Sequence, residues 1–386
     1  IRDYYASRGL GDVYKRQSMD TSAEATSEIT QAAETTQEER TKLVKTGSME
    51  LQYAENFTVD YYEDGYKMLT TVPDSQRYLL VPEGQPVPQG LDEDVSILQE
   101  PLQNIYLVAS GAMDMFASLD AVDQIRFSGQ KQENWYIQTA KDAMAAGDMI
   151  YAGKYSKPDY ELLVSEGCDL AIENRMITHS PEVVEMLESF DIPVMIEYSS
   201  YEHHPLGKVE WVKFFGALTG KEAKAEEAFA EQTEILEEVE SGEKTGKTIA
   251  FFYVTSNGLI QVRQSTDYIP KLIELAGGRY IFENLEDSGS GRSTLNMQVE
   301  DFYAGAKDAD ILIYNSSIDG GVTTVDELIG KCNILKDFKA VQEGQVYCTT
   351  NDMYQQSMAI GYLLQDMHTV LTDDDTAKLR YLFLLQ

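Results

Sequence analysis

Cysteine, tryptophan, histidine and basic residues are all scarce in this chain of 386 residues. Three cysteines (Cys168, Cys332, Cys348) are too few for a disulfide framework. Cys168 stands at the entry to an apolar stretch and reads as a small core residue, while spacing leaves a Cys332–Cys348 bridge open. Only 31 Lys and Arg face 65 Asp and Glu, a formal charge of −34. That balance excludes a protein that grips nucleic acid by neutralising phosphates, and it disfavours an anionic membrane surface. No run of about 18 apolar residues occurs, so no segment reads as a transmembrane helix. Cluster cysteines, a Walker-type phosphate loop and a nucleophile elbow are all missing, and the carboxylates are spread over helix faces rather than paired in one loop. The chemistry expected is binding, not conversion, with no cofactor.

What is present divides into segments. Residues 1–17 end in DVYKRQ, which is similar to the translated end of a sequencing adapter, and they are set aside as an assembly scar. Residues 18–48, rich in Ser, Thr, Ala, Glu and Gln, read as a solvated tether. An alternating stretch over 51–61 predicts a strand, Asp64-Gly65 a hairpin turn, and 66–72 the return strand, followed by a proline-bearing loop over 73–101. From Ile105 onward short apolar runs alternate with amphipathic stretches, the pattern of a parallel α/β sheet. Strands are expected at 104–109, 124–127, 148–151, 169–172 and 193–197, and helices at 113–122, 135–146, 158–166 and 181–190, the last two opened by Pro158 and Pro181. A helical block over 208–240, interrupted at Thr219-Gly220, precedes a second α/β pattern that starts at Thr248. The expected architecture is α/β: two lobes with parallel-sheet cores, 49–207 and 242–386, joined by the linking helices 208–241, with a ligand cleft between them. One stiff rod would hold two independently packed halves.

Six segments in this order resemble the ABC-transporter substrate-binding proteins of the iron-siderophore and cobalamin type. They are PDYELLVSEGCDLAI (158–172), DIPV (191–194), PLGKVEW with LTGKE (205–222), LAGG (275–278), VE (299–300) and QEGQVY (342–347). The insertion at 73–101 and Asp114, where a Glu is often found, depart from the pattern. The resemblance implies a monomeric, extracytoplasmic protein, lipid-anchored or periplasmic, that carries a metal chelate or macrocycle (siderophore, haem or corrinoid) to an ABC permease. It further implies that Glu182 and Glu300, one on each lobe, engage that permease. Both also sit in the first turn of a helix, where a carboxylate is favoured by the helix dipole alone.

In parallel sheets ligands bind beyond the carboxyl ends of the strands. Residues there that could contact cargo are Ser110 and Met113 at a helix start, and Tyr155, Tyr198, Tyr201, Tyr253 and Tyr354, which pair a stacking face with a hydroxyl. Arg175, Arg263 and Arg292 could bind carboxylate or phosphate, and His203 could touch a chelated metal. Each also has a plainer reading as core, rim or surface ion pair. The rival function is a Zn²⁺ or Mn²⁺ importer on the same fold. It would need three or four ligands converging on one ion, which adjacent His203 and His204 do not readily supply. An enzyme resembling the nitrogenase-type two-lobe proteins is disfavoured by the missing cluster cysteines.

Overall fold

The computed structural model describes residues 43–286, 293–374 and 378–386. The adapter-like segment 1–17 therefore lies outside the described residues, as does most of the expected tether. The tether's last residues do not behave as one: Lys45–Ser48 forms strand β1, paired antiparallel with β2 (Phe57–Tyr62). β3 (Lys67–Thr71) and β4 (Gln76–Val81) continue the meander, and β5 (Val95–Gln99) adds in parallel to β4. The stretch 73–101 is thus not a plain loop. Its two strands flank a proline-bearing turn whose Pro86 carbonyl accepts from the Tyr66 hydroxyl at 2.7 Å.

The strand expected over 51–61 begins only at Phe57. Upstream of it, backbone N–H groups pair with two buried carboxylates instead of a neighbouring strand. Glu210 accepts from Gln52, Tyr53 and Ala54 at 2.8–3.1 Å. Glu202 accepts from Glu55 and Asn56 at 2.9–3.0 Å, and from the Trp211 indole at 2.8 Å.

The first lobe is built on β6 (Ile105–Leu107), β7 (Ile125–Ser128), β8 (Ile150–Tyr151), β11 (Leu170–Asn174) and β12 (Val194–Glu197), all parallel, in the order β12-β11-β6-β7-β8. Between β8 and β11 a small hairpin, β9 (Gly153–Lys154) and β10 (Lys157–Pro158), stands at the sheet's rim. Pro158 ends that hairpin and does not open a helix; Asp159 caps the helix Tyr160–Ser165 by accepting from Leu162. Pro181 does occupy the first turn of its helix, Pro181–Ser189.

The second lobe places β13 (Thr248–Val254), β17 (Ile311–Tyr314) and β18 (Val346–Thr349) in parallel at its centre. β14 (Ile260–Arg263), β16 (Thr294–Met297) and β19 (Leu382–Leu384) are antiparallel flanks, and β15 (Arg279–Tyr280) pairs with one end of β13. The fold class is therefore α/β with two parallel-sheet cores, as the alternating pattern predicts.

The link is a helix pair, Pro205–Thr219 and Glu222–Glu240, turning at Gly220 in the left-handed region (φ 70°). Gly216 permits their close crossing, because a Cβ there would lie 2.6 Å from the Ala225 Cβ. The first helix is buried along nearly its whole length, mostly apolar but carrying Lys208, Glu210 and Lys213 into the interior. Phe57 of the N-terminal sheet packs edge-on against Trp211 (5.0 Å) and Phe214 (5.3 Å).

The expectation of two independently packed halves is corrected here. One continuous apolar cluster runs from Phe57 and Ile172 through Val209, Trp211 and Phe229 to Phe251, Ile313 and Leu364. Separate smaller cores lie around Tyr106 and Phe127 in the first lobe, around Tyr66 and Leu79 in the N-terminal sheet, and around Phe252 and Phe302 in the second lobe. The joint is a shared helical layer, and large lobe rotation would expose apolar surface at about 25 cal/mol per Å². All three cysteines are free, so no Cys332–Cys348 bridge forms.

Candidate functional site

In the first lobe the chain leaves β6 for β7 on one side and later returns to β11 on the other, so β6 marks the point where strand order reverses. Ligands in open α/β sheets bind at that point, beyond the strand ends. A cavity of about 450 Å³ lies there. It is lined by Val108 and Ser110 after β6, by Gly129, Gln130, Lys131, Glu133 and Asn134 after β7, and by Asn174 at the end of β11. Tyr151 and the hairpin residues Lys154 and Tyr155 form the opposite wall.

Local chemistry holds each wall in place. Ser128 donates to the Gln130 carbonyl (2.6 Å) and accepts from the buried Trp135 indole (3.0 Å), which folds the 129–134 loop back on itself. Gly129 is needed for that loop, since a Cβ would meet the Val108 Cα at 2.8 Å. The Tyr106 hydroxyl donates to the Gly153 carbonyl at 2.9 Å and ties the hairpin to the central strand. The result is a polar pocket with two tyrosine faces, two ammonium groups and one carboxylate, Glu133, which lies 4.0 Å from the Lys131 ammonium, of a size suited to a small molecule.

Glu173 is wholly buried on the outer face of β11, next to the pocket residue Asn174, and neither carboxylate oxygen has a hydrogen-bond partner. Burial pushes its pKa up to about 8, so the neutral acid predominates at pH 7. A raised pKa stabilises the fold fully below the unfolded value of 4.5, and that contribution is lost as pH rises through 8. Glu173→Gln is therefore expected to match the wild type in urea unfolding at pH 4.5 and to exceed it increasingly up to pH 8. The gap should grow by at most about 1.4 kcal/mol per pH unit and level off above pH 8. A gap independent of pH would refute the assignment.

Of the residues singled out from sequence, Ser110 and Tyr155 line this cavity. Met113 does not: it is fully buried in the shared core, on the inward face of its helix. Tyr198 is also buried, its hydroxyl donating to Asp74 at 3.1 Å. Tyr201 stacks edge-on to Tyr198, with Arg175 over its ring at 4.7 Å, a cluster apart from the cavity. His203 reaches the other lobe, its Nδ1 2.8 Å from the Thr266 carbonyl, and His204 caps the helix Pro205–Thr219 while stacking on Tyr53.

In the second lobe Arg263 pairs with Asp267 (3.3 Å) and with the Tyr354 hydroxyl, which also accepts from Asn315 at 2.8 Å. Tyr253, Arg263 and Asn315 border a crevice with no room for a ligand. Arg263, Asp267, Asn315 and Tyr354 are thus paired with one another, apart from the cavity, while Met113 and Tyr198 are buried in the shared core. Arg292 lies outside the described residues.

The loop after β7 supplies five lining residues that the sequence reading passed over. Its signal was Ser128-Gly129 following an apolar strand, the same pattern as Ser110-Gly111 after β6. Glu182 and Glu300 are exposed in the first turns of Pro181–Ser189 and Val299–Ala306. Each helix runs antiparallel to its sheet's parallel strands, so both carboxylates stand at the strands' carboxyl edge, one per lobe. Among the described residues no group of three or more His, Cys, Asp and Glu is placed to hold a metal ion. Nor is any helix among them long and apolar enough to cross a membrane.

No protein-family model matches the sequence. An uncharacterized lipoprotein of Methanocaldococcus jannaschii, MJ0878, is 24% identical over 352 residues, covering 83% of this chain and 81% of its own. A possible iron-binding (periplasmic solute-binding) protein of Staphylococcus epidermidis superposes with a TM-score of 0.54 at 17% identity. That alignment covers 70% of this chain and 98% of the other. The periplasmic haem-binding protein HutB of Vibrio cholerae superposes at 0.55 with 14% identity, covering 69% and 98%. The chain has the fold of the periplasmic substrate-binding proteins, and its solved neighbours fit almost wholly within it.

Proposed function

We propose that this protein is the substrate-binding component of an ABC importer. It captures a metal chelate outside the cytoplasmic membrane and delivers it to a permease through Glu182 and Glu300. The observation that carries the reading is the cavity at the reversal point of the first-lobe sheet, of a volume usual for small-molecule sites. The fold supports it, as do a structural neighbour described as a possible iron-binding protein, a haem-binding one and a relative named as a lipoprotein. Lys154 on the wall, with Lys131 shared with Glu133, favours cargo with anionic oxygens in a chain of net charge −34. A ferric siderophore or haem fits that demand better than an uncharged corrinoid. The alternative of a bare Zn²⁺ or Mn²⁺ cargo finds no cluster of donors among the described residues.

Capture needs no bond to be made. Cargo enters from the open side, stacks on Tyr151 and Tyr155, and is held by the amides of Gln130, Asn134 and Asn174. The shared core keeps lobe movement small.

The test uses the molecule's own reporter. Trp135 stands behind the 129–134 wall, and Trp211, the other tryptophan, lies in the linking helix. Titration with haemin and with a ferric trihydroxamate is expected to give saturable quenching of tryptophan emission, whereas Zn²⁺ and Mn²⁺ should give none. Saturation by the bare ions alone would transfer the assignment to the metal-importer alternative.

A further inference from the structure

The second lobe supplies no lining residue to the cavity, yet it touches both loops that form the cavity's walls. Contact comes from the segment between β18 and the C-terminal helix Ile360–Thr372. Gln355, 8% exposed, uses both ends of its amide. Its Oε1 accepts from the Tyr136 backbone N–H at 2.8 Å, and its Nε2 donates to the Asn134 carbonyl at 2.8 Å. The side chain thus satisfies one donor and one acceptor of an irregular loop, as a neighbouring strand would. Asn134 lines the cavity.

Three residues further on, the Met358 N–H donates to Asp114 Oδ2 at 2.8 Å. The same segment comes close to Gly111, where a Cβ would stand 3.2 Å from Ser357 Oγ and 3.6 Å from the Tyr354 carbonyl. Ser110, adjacent to Gly111, lines the cavity. One second-lobe segment therefore holds the 129–136 wall through Gln355 and the 108–111 wall through Asp114 and Gly111.

We infer that Gln355 and Asp114 form a cross-lobe latch that sets the cavity's shape, Gln355 acting as a positioning residue for cargo it does not touch. The inference rests on the cavity being the cargo site; the latch itself does not. Burial pushes Asp114 up to about 6, with Asp352 acting in the same direction; the Met358 N–H and Lys208 act against it, so the latch bond favours the ionised carboxylate, and Tyr381 also feels its charge.

Amide hydrogen exchange on the ligand-free protein reads the latch directly. Gln355→Ala is expected to speed exchange at Tyr136 at least about tenfold and to weaken haemin or ferric trihydroxamate binding severalfold, with the urea midpoint held near the wild type. Gln355→Glu, which keeps the acceptor for Tyr136 and loses the donor to Asn134, should fall between. Asp114→Ala is expected to speed exchange at Met358 comparably, and Asp114→Asn, which keeps an acceptor, should retain most of the protection. Unchanged exchange at Tyr136 in Gln355→Ala would overturn the latch. Faster exchange with undiminished affinity would overturn the positioning role. If the wild type binds neither chelate, the proposed cargo fails, while exchange still decides the latch.

Discussion

Glu210→Ala is expected to destabilise the protein by about 3–5 kcal/mol, because it removes one side of a fully desolvated charge pair and its hydrogen bonds. The carboxylate accepts three successive backbone N–H groups, from Gln52, Tyr53 and Ala54, and lies 3.4 Å from the Lys213 ammonium. Without it, the three donors lose the side chain they pair with, and Lys213 keeps Glu226 and the Phe229 ring. Damage should spread from the linking helix into the N-terminal sheet, since these residues lead into β2. Glu210→Gln, which retains one acceptor, should cost less, on the order of 1–3 kcal/mol. Urea denaturation followed by circular dichroism measures both, and a loss below about 1 kcal/mol for the alanine variant would show that water reaches the site.

The second large effect concerns delivery. Reversing both exposed glutamates, Glu182→Arg with Glu300→Arg, is expected to abolish transport in a reconstituted importer while haemin affinity stays at the wild-type value. Neither side chain lines the cavity, and each stands on its own lobe at the strands' carboxyl edge. A charge facing an opposite charge across an interface contributes on the order of 2 kcal/mol or more, about thirtyfold in affinity. The two reversals together should therefore weaken docking by roughly a thousandfold, and each single variant should retain intermediate transport. Transport that survives the double reversal would reduce both residues to helix-dipole partners; a matching loss of cargo affinity would place them in the binding site instead.

The alternation of short apolar runs with amphipathic stretches made the parallel sheets readable. β13 starts at Thr248, where the second α/β pattern was expected, and the helix Pro181–Ser189 lies within the expected 181–190. The N-terminal sheet was only half legible. β4 opens with Gln76-Arg77 and β5 lies among prolines, so neither shows the clean alternation of a two-faced strand. Residues 51–56 do alternate, yet their partners are carboxylates about 150 residues away, which no local pattern can report. For the site, strand ends were a good guide to Ser110 and Tyr155, and a poor one to Met113 and Tyr198. A residue one turn into a helix or one step past a strand can face the cavity or the core, and only the helix layer behind the sheet decides which.

Composition, periodicity and the order of its segments determined that this chain folds into two α/β lobes around a buried helix. Those properties follow from local burial preferences, which the sequence carries residue by residue. Tertiary structure alone decided which strand ends enclose a cavity, which charges are already paired, and that Gln355 braces a wall formed more than two hundred residues earlier. Such facts depend on groups distant in the chain meeting across a low-dielectric interior, where an unmatched donor or charge is costly enough to fix a partner.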